Sequence, residues 1–598
     1  MQTRGLLVTL LVVACLLQAG HLLHKSFRVP HYKPRASIRD LTWGDINFIH
    51  TTDTHGWYSG HLNQKIYKGN WGDFVSFTTK LRALAHENNQ DLLLIDSGDR
   101  HDGNGFSDVT TPNGLYSTPV FLKQNYDLLT IGNHELYVWE NSLQEYDLVV
   151  NHFPDKYVSS NVEIRINDTF VPFGNKFKFF STPVTNTSIL SFGFLFDFQR
   201  NNDKTKVTPL KEVINQSWFK QTLQKYAEET DLIVIVTHVP ITHDWPELWE
   251  LHQVLRKTYR NTPIQYFGGH SHIRDFVVFD DNATGIQSGR FCETVGWTSV
   301  NFRGESLREK FSRSYIDFNT DSFAHHVNCS DVKCFETSKG KEISKLITDI
   351  RDKLGLDDPI GQVTRNNYYV DYVPLDNQKN IYHFLTHEVL HILEYPQDSK
   401  DERIIIINTG SVRYDLYKGP YTIDSQYIVS PFENDWTSIS LPKKVALKIA
   451  AVLNNDGYIA SSADSIDNSK LLPPHHRYNS HSRLSKRRQQ VLELSDDLEI
   501  ERKAKLTKGY VTIDDFGNDG DDTVHKPVIQ FPVSNVVESV QLSNDNETTV
   551  DVVFYEFIRP NILWALKQLE YKEEVEPKFY SRKYLGLLLN DYVRDHKV

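Results

Sequence analysis

The chain of 598 residues carries 65 Lys and Arg against 77 Asp and Glu, a formal net charge of −12, with 39% hydrophobic, 12% aromatic and 24% charged residues. That length fits two or three domains, and the apolar content excludes an extended disordered polymer. The acidic balance argues against a duplex nucleic-acid binder, whose affinity for a phosphate backbone comes from clustered Lys and Arg.

At the N-terminus Arg4 precedes an uncharged apolar run over 5–17, and no acidic residue appears before Asp40. Residues 1–24 read as a signal peptide or a signal anchor; the run reaches bilayer length only by taking in Gln18 and His21. A lipoprotein box at Val13-Ala14-Cys15 is disfavoured by the apolar residues that follow. The expected address is the secretory pathway, ending in a vacuolar or lysosomal lumen or outside the cell. Besides Cys15 there are Cys292, Cys329 and Cys334. The close pair Cys329 and Cys334 reads either as a small disulfide loop in an oxidising compartment or as two reduced thiols. Asn-x-Ser/Thr sites begin at Asn167, Asn186, Asn215, Asn282, Asn328 and Asn546. Chance alone gives roughly five in such a chain, so they are merely compatible with glycosylation.

From residue 41 onward, short apolar runs alternate with helical stretches. The runs 46–52, 92–97, 128–131, 232–237 and 264–267 each end at Asp, His, Asn or Gly. In α/β folds functional groups collect at the carboxyl ends of strands, so these endings predict an α/β domain over 41–340 with one site built from many loops. A helix over 342–356, another over 380–393 and a buried strand over 404–407 predict a smaller α/β domain over 341–598. Within it, 469–490 holds Pro473, Pro474, His475, His476 and a basic run at Lys486, and reads as a solvated insertion, with a metal or anion site as the lesser reading.

The strand endings carry the chemistry. In order they are Asp53-Thr54-His55-Gly56, Gly98-Asp99, Gly132-Asn133-His134-Glu135, Thr237-His238 and Gly269-His270-Ser271-His272. All offer oxygen and imidazole donors, the ligand types suited to Zn, Mn or Fe. Asp53 and His55 flank one residue and both turn toward one ion; Asp99, with two carboxylate oxygens, is the natural bridge to a second. Seven donors exceed what one ion ordinarily takes from protein, so two divalent ions are expected.

This ordered series resembles the calcineurin-like metallophosphoesterase superfamily, and its variants are most similar to the 5′-nucleotidase branch. The resemblance implies an N-terminal α/β-β/α sandwich followed by a smaller substrate domain. It implies one metal on Asp53, His55 and His272, the other on Asn133, His238 and His270, and Asp99 between them. His134 would stand near the phosphoryl group as the catalytic histidine. Two such cations lower the pKa of a bound water and neutralise phosphoryl oxygens. Glu135 is expected to support the shell rather than bind metal. The branch often carries an aspartate two residues beyond the glutamate as partner of the histidine; here that position is Tyr137, which leaves the partner of His134 open.

In the second half, Asn408-Thr409-Gly410-Ser411-Val412-Arg413 and Pro431-Phe432-Glu433-Asn434 resemble the branch's substrate motifs. By that resemblance Asn408 and Arg413 contact the ribose or phosphate and Phe432 stacks on the base, although a Phe after a proline at a strand end is commonly core. The segment 516–521, with Phe516 and Asp521, resembles the loop that supplies the other aromatic face. An arginine the branch often carries is absent from 368–372. The implied activity is removal of phosphate from nucleoside 5′-monophosphates, a small-molecule partner with no duplex nucleic acid. The same metal core also serves phosphodiesterases and nucleotide-sugar or dinucleotide pyrophosphatases, and a catalytically silent binding protein would keep only the fold.

Overall fold

The structure is a computed structural model that describes residues 38–596 and 598, except 244, 397–401, 456–470, 478–505 and 543–548. The N-terminal signal segment, Asn546 and most of 469–490 lie outside the described residues. Among the described residues no helix is long and apolar enough to cross a membrane.

The first half is a sandwich of two sheets. One has the order Phe311–Asp317, Thr294–Val300, Ile46–Thr51, Asp91–Asp96, Leu128–Leu129. The other has the order Arg274–Asp280, Ala283–Ser288, Ile264–Gly268, Leu232–His238, Ser188–Leu195, Lys178–Ser181. The strands Ile46–Thr51, Asp91–Asp96, Leu232–His238 and Ile264–Gly268 are buried along their whole length, the expected state of parallel strands covered on both faces. Ile46, Phe48, Leu93 and Ile95 from one sheet meet Val234, Val236 and Phe267 from the other in a single core, with the Phe48 and Phe267 rings 5.2 Å apart. Helices cover the outer faces. Trp71–Glu87 opens with a capping box from Asn70 and packs against Ser338–Leu354, which opens on Thr337 and stops at left-handed Gly355. Ile343, Ile347 and Ile350, spaced by four and three, turn that second helix's apolar stripe into the first core, so the helix expected to open the second domain packs with the first half.

The second half has its own core around a sheet ordered Val536–Gln541, Arg403–Asn408, Thr549–Tyr555, Trp436–Pro442, Lys578–Ser581. Arg403–Asn408 runs parallel to Thr549–Tyr555, and residues 408–413 follow its carboxyl end. The described part of 469–490, residues 471–477, is no solvated insertion. Leu471 is in the second core, and His475 and His476 are buried, each 3.1 Å from Asp371 Oδ2.

The segment 512–523 leaves the second half and straps the first. Tyr315 N donates to Gly520 O and Asp522 N donates to Tyr315 O, extending the edge at Phe311–Asp317. Two residues expected at the substrate, Phe516 and Asp521, lie here. Phe516 is buried against Phe276, 4.7 Å between rings, with the Arg308 guanidinium 4.7 Å over it. Asp521 is buried 2.9 Å from Arg274, which holds Asp317 at the same distance. The strap carries both onto the sandwich. Asp521→Ala would leave a buried guanidinium with one of its two carboxylates. Truncating one partner of such a pair is strongly destabilising, so a loss of about 3 kcal/mol is expected in urea unfolding; a change under about 0.5 kcal/mol would contradict it.

Candidate metal centre and substrate cleft

All seven expected ligands leave the carboxyl ends of the parallel strands. Asp53 and His55 follow Ile46–Thr51, Asp99 follows Asp91–Asp96, Asn133 follows Leu128–Leu129, His238 ends Leu232–His238, and His270 and His272 follow Ile264–Gly268. The seven are buried together. Asp53, His55, Asp99 and His272 each place a ligand atom within 4.8 Å of the others, and Asp99, His238 and His270 do the same. Asp99 belongs to both groups.

The backbone is forced to bring them there. Asp53, His55, Asp99, His270 and His272 all have positive φ, from 44° to 72°. Such conformations are unfavourable for residues with a Cβ and persist only where the surroundings hold them. Glu135 does much of the holding: its carboxylate accepts from the backbone N–H of Asp99, Arg100 and Gly132 at 3.1, 2.7 and 2.7 Å. His134 N donates to Asp99 Oδ1 at 2.9 Å, joining the two loops again.

Hydrogen bonds also fix which ring nitrogens face the cluster. His55 Nδ1 donates to His101 O at 2.6 Å and His238 Nδ1 donates to Ser97 O at 2.7 Å, so each Nε2 turns inward with its lone pair. His272 Nε2 lies 3.0 Å from His55 Nε2 and 3.3 Å from Asp53 Oδ1. The amide of Asn133 donates to the Tyr137 hydroxyl at 3.4 Å and its Oδ1 has no hydrogen-bond partner, while the buried Asp99 Oδ2 and His238 Nε2 face each other at 3.0 Å with no other hydrogen-bond partner among the described residues. Burial pushes the Asp53 carboxyl up to about 7, against the pull of His238 and with the push of Asp99. Burial holds the His55 and His272 imidazoles well below their ordinary range, as neutral ligands require. Oxygen and imidazole donors converging on two groups that share Asp99, with an Asp53 carboxylate whose charge is unfavourable there without a counter-charge, fit a pair of divalent ions.

His134 sits at the mouth. Its Nδ1 donates to Asp102 Oδ2 at 2.6 Å, and its Nε2 accepts from Arg413 at 2.9 Å. The partner of His134 therefore comes from the loop after Asp99, not from the position of Tyr137, whose ring lies edge-on 5.1 Å away. Asp102-Gly103, a turn dipeptide whose aspartate has φ 69°, was the available signal.

A cleft of about 420 Å³ opens over the centre. The first half lines it with Asp99, Asn133, His134, His270 and His272, and the second with Asn408, Arg413 and Phe432. The half-buried Phe432 is thus a cleft residue rather than core, with the Arg413 guanidinium 4.8 Å over its ring. Phe557 also lines the cleft. It leaves the strand Thr549–Tyr555 in a short turn, and no motif marks it.

Residues 46–274 match the family model of the calcineurin-like phosphoesterases, and residues 367–563 match that of the NAD nucleotidase C-terminal domain. The chain belongs to the calcineurin-like phosphoesterases, in the two-domain form of the 5′-nucleotidases. The crystal structure of a 5′-nucleotidase from Candida albicans is similar at 56% identity and a TM-score of 0.85, over 94% of this chain and 99% of that one. An uncharacterized protein of Saccharomyces cerevisiae is 43% identical, covering 89% of this chain and 88% of its own length. A protein of Arthroderma benhamiae named as secreted is 35% identical, covering 87% and 84%.

Gly132 shows how tightly the centre is built. A Cβ there would overlap the carboxylate oxygen and backbone nitrogen of Asp99. Gly132→Ala is expected to displace Asp99 and to lower the metal content of purified, folded protein by at least one ion per chain in elemental analysis. Full occupancy in that variant would contradict the role of Asp99 as the shared ligand.

Proposed function

We propose that this protein is a two-metal phosphoester hydrolase that removes the phosphate from nucleoside 5′-monophosphates. The observation that carries the reading is Arg413. It reaches across from the second half to hydrogen-bond His134 at 2.9 Å while its guanidinium lies 4.8 Å over Phe432. One residue thereby spans the distance between a phosphoryl group at the metal centre and an aromatic base.

The seven ligands would hold two divalent ions, with Zn, Mn or an Fe/Zn pair best suited to these donors. When bound, the ions supply Lewis-acid polarisation of the phosphoryl oxygens and an activated water. The chain's own groups do the rest. Asn133 contributes no charge, which leaves the centre more positive toward a dianionic phosphate. Arg413 transfers its donors from His134 to phosphoryl oxygens, a charge-assisted contact. His134 Nε2 is then left to hold a proton for the leaving 5′-oxygen, and Asp102 at Nδ1 stabilises the imidazolium. Phe432 stacks on the base, with Phe557 beside it in the cleft.

The Cys329–Cys334 disulfide supports an oxidising, secretory-pathway address, as does a relative named as secreted. The destination this reading assigns is a vacuolar or lysosomal lumen or the outside of the cell.

The test is phosphate release from a panel of nucleoside monophosphates, cyclic nucleotides, diphosphates and sugar phosphates with Mn or Zn supplied. Nucleoside monophosphates are expected to be turned over; release from cyclic nucleotides or sugar phosphates alone would sink the assignment. Phe432→Ala is expected to raise KM about tenfold with kcat little changed, since stacking contributes about 1–3 kcal/mol per base. Asp102→Asn is expected to lower kcat about 100-fold, the scale of a lost proton-transfer contribution, with KM nearly constant. Equal loss in both parameters would mean that Asp102 only holds the loop.

A further inference from the structure

A second cavity, of about 750 Å³, touches the centre at His272, the one lining residue it shares with the substrate cleft. Its walls include Lys65, Arg274, Arg290, Lys379, Lys508 and Lys526 and no Asp or Glu, in a chain of net charge −12. Arg274 is answered by Asp317 and Asp521. The four lysines are exposed and make no ion pair among the described residues.

Two buried donors on these walls lack a hydrogen-bond acceptor, His272 Nδ1 and Arg290 Nε. The contrast with the other imidazoles is informative. His55 and His238 each give their outer N–H to a backbone carbonyl, whereas His272, with Nε2 turned to the cluster, has an outer N–H with no protein partner. A buried donor left unsatisfied is unfavourable by about 1–3 kcal/mol, so an oxygen-rich guest is called for. Arg290 is fixed for the same purpose. Its Nη1 donates to His475 Nδ1 at 2.7 Å, His475 Nε2 donates to Asp371 Oδ2 at 3.1 Å, and His476 donates to the same oxygen at 3.1 Å. The nearest carboxylate to Arg290 Nε, Glu293, stands 3.8 Å away and is occupied by the hydroxyls of Tyr414 and Tyr510. The arginine also disqualifies the Asp371–His475–His476 group as a third metal site: its N–H occupies the lone pair of His475 Nδ1, which leaves the proton on the Nε2 that a metal would need.

We infer that this cavity is a second phosphoryl-oxyanion site that receives the orthophosphate product, with Arg290 and His272 Nδ1 as its donors and Asp371 and His475 as positioning residues. The source of the anion rests on the phosphoester reading above. A nucleoside lying between Phe432 and the centre fills the substrate cleft, so phosphate passing His272 into the basic cavity leaves without waiting for it. The unpaired lysines set a field of one sign that draws the anion outward.

Orthophosphate itself is the probe, measured by equilibrium dialysis of radiolabelled phosphate against the metal-loaded full chain. The wild type is expected to hold two phosphates per chain, one at the metals and a salt-sensitive one in the cavity. Arg290→Gln is expected to hold one. The double variant Lys508→Gln/Lys526→Gln, at exposed positions, is expected to keep both sites and weaken the salt-sensitive one about fivefold. A single phosphate on the wild type, or two with unchanged affinity in both variants, overturns the inference. Failure of the nucleotidase reading would appear instead in the substrate panel, with the phosphate stoichiometry intact.

Discussion

The constraint on which the molecule turns is the burial of two carboxylates among four imidazoles at one point between two sheets. Such a cluster opposes folding unless something compensates it, because charged groups removed from water require a counter-charge or a full set of hydrogen bonds. Asp53 has part of such a set, from Thr52 and the His270 N–H, and still rises to about 7. Asp99 Oδ2 has only His238 Nε2 facing it, at 3.0 Å. The compensation that suits seven inward-facing oxygen and nitrogen donors is a cationic one, and the surrounding hydrogen bonds organise that set in advance.

That organisation explains where backbone strain is found. Left-handed residues gather at Asp53, His55, Asp99, Asp102, His270 and His272, all on loops at the carboxyl ends of parallel strands. Parallel packing supplies rigid anchors a few residues away, and Glu135 ties two of the loops through three backbone N–H groups. The same principle accounts for Tyr137. Its hydroxyl takes the amide hydrogen of Asn133, which turns Oδ1 toward the centre.

What was legible in the sequence follows from range. The gathering of the seven candidate ligands was readable because each stands at the end of an apolar strand, and donor chemistry at strand ends is a local pattern. Asp102 was not, since its pairing with His134 depends on the path of a loop whose only local mark is a turn dipeptide. Phe516 and Asp521 looked like substrate residues by motif; the chain's return across the sandwich, which buries Asp521 on Arg274, has no local signature. His475 and His476 sit in Pro- and His-rich surroundings that read as surface, and only their distant partner Asp371 shows them to be interior. Long-range polar pairing was the information missing in each case.

The two halves complete one site, so their junction must be as determined as either core. Buried polar pairs do this better than apolar contact, because they have one satisfying register. Arg351 of the first half holds Asp424 of the second at 2.7 Å, and Asp424 also accepts from Gly105 N at 2.9 Å. Tyr414, next to Arg413, gives its hydroxyl to Glu293 at 2.6 Å while its ring packs on Trp57, 5.1 Å between centroids. Trp57 in turn stacks on His61 at 4.2 Å, and His61 donates to Phe291 O at 2.7 Å. Arg413 is thus delivered to His134 by a neighbour anchored behind the metal loops. A slip of the second half by one residue would part Glu293 from Tyr414, Asp424 from Arg351 and Gly105, and His134 from Arg413, which ties the position of the arginine to the same set of interactions that holds the halves together.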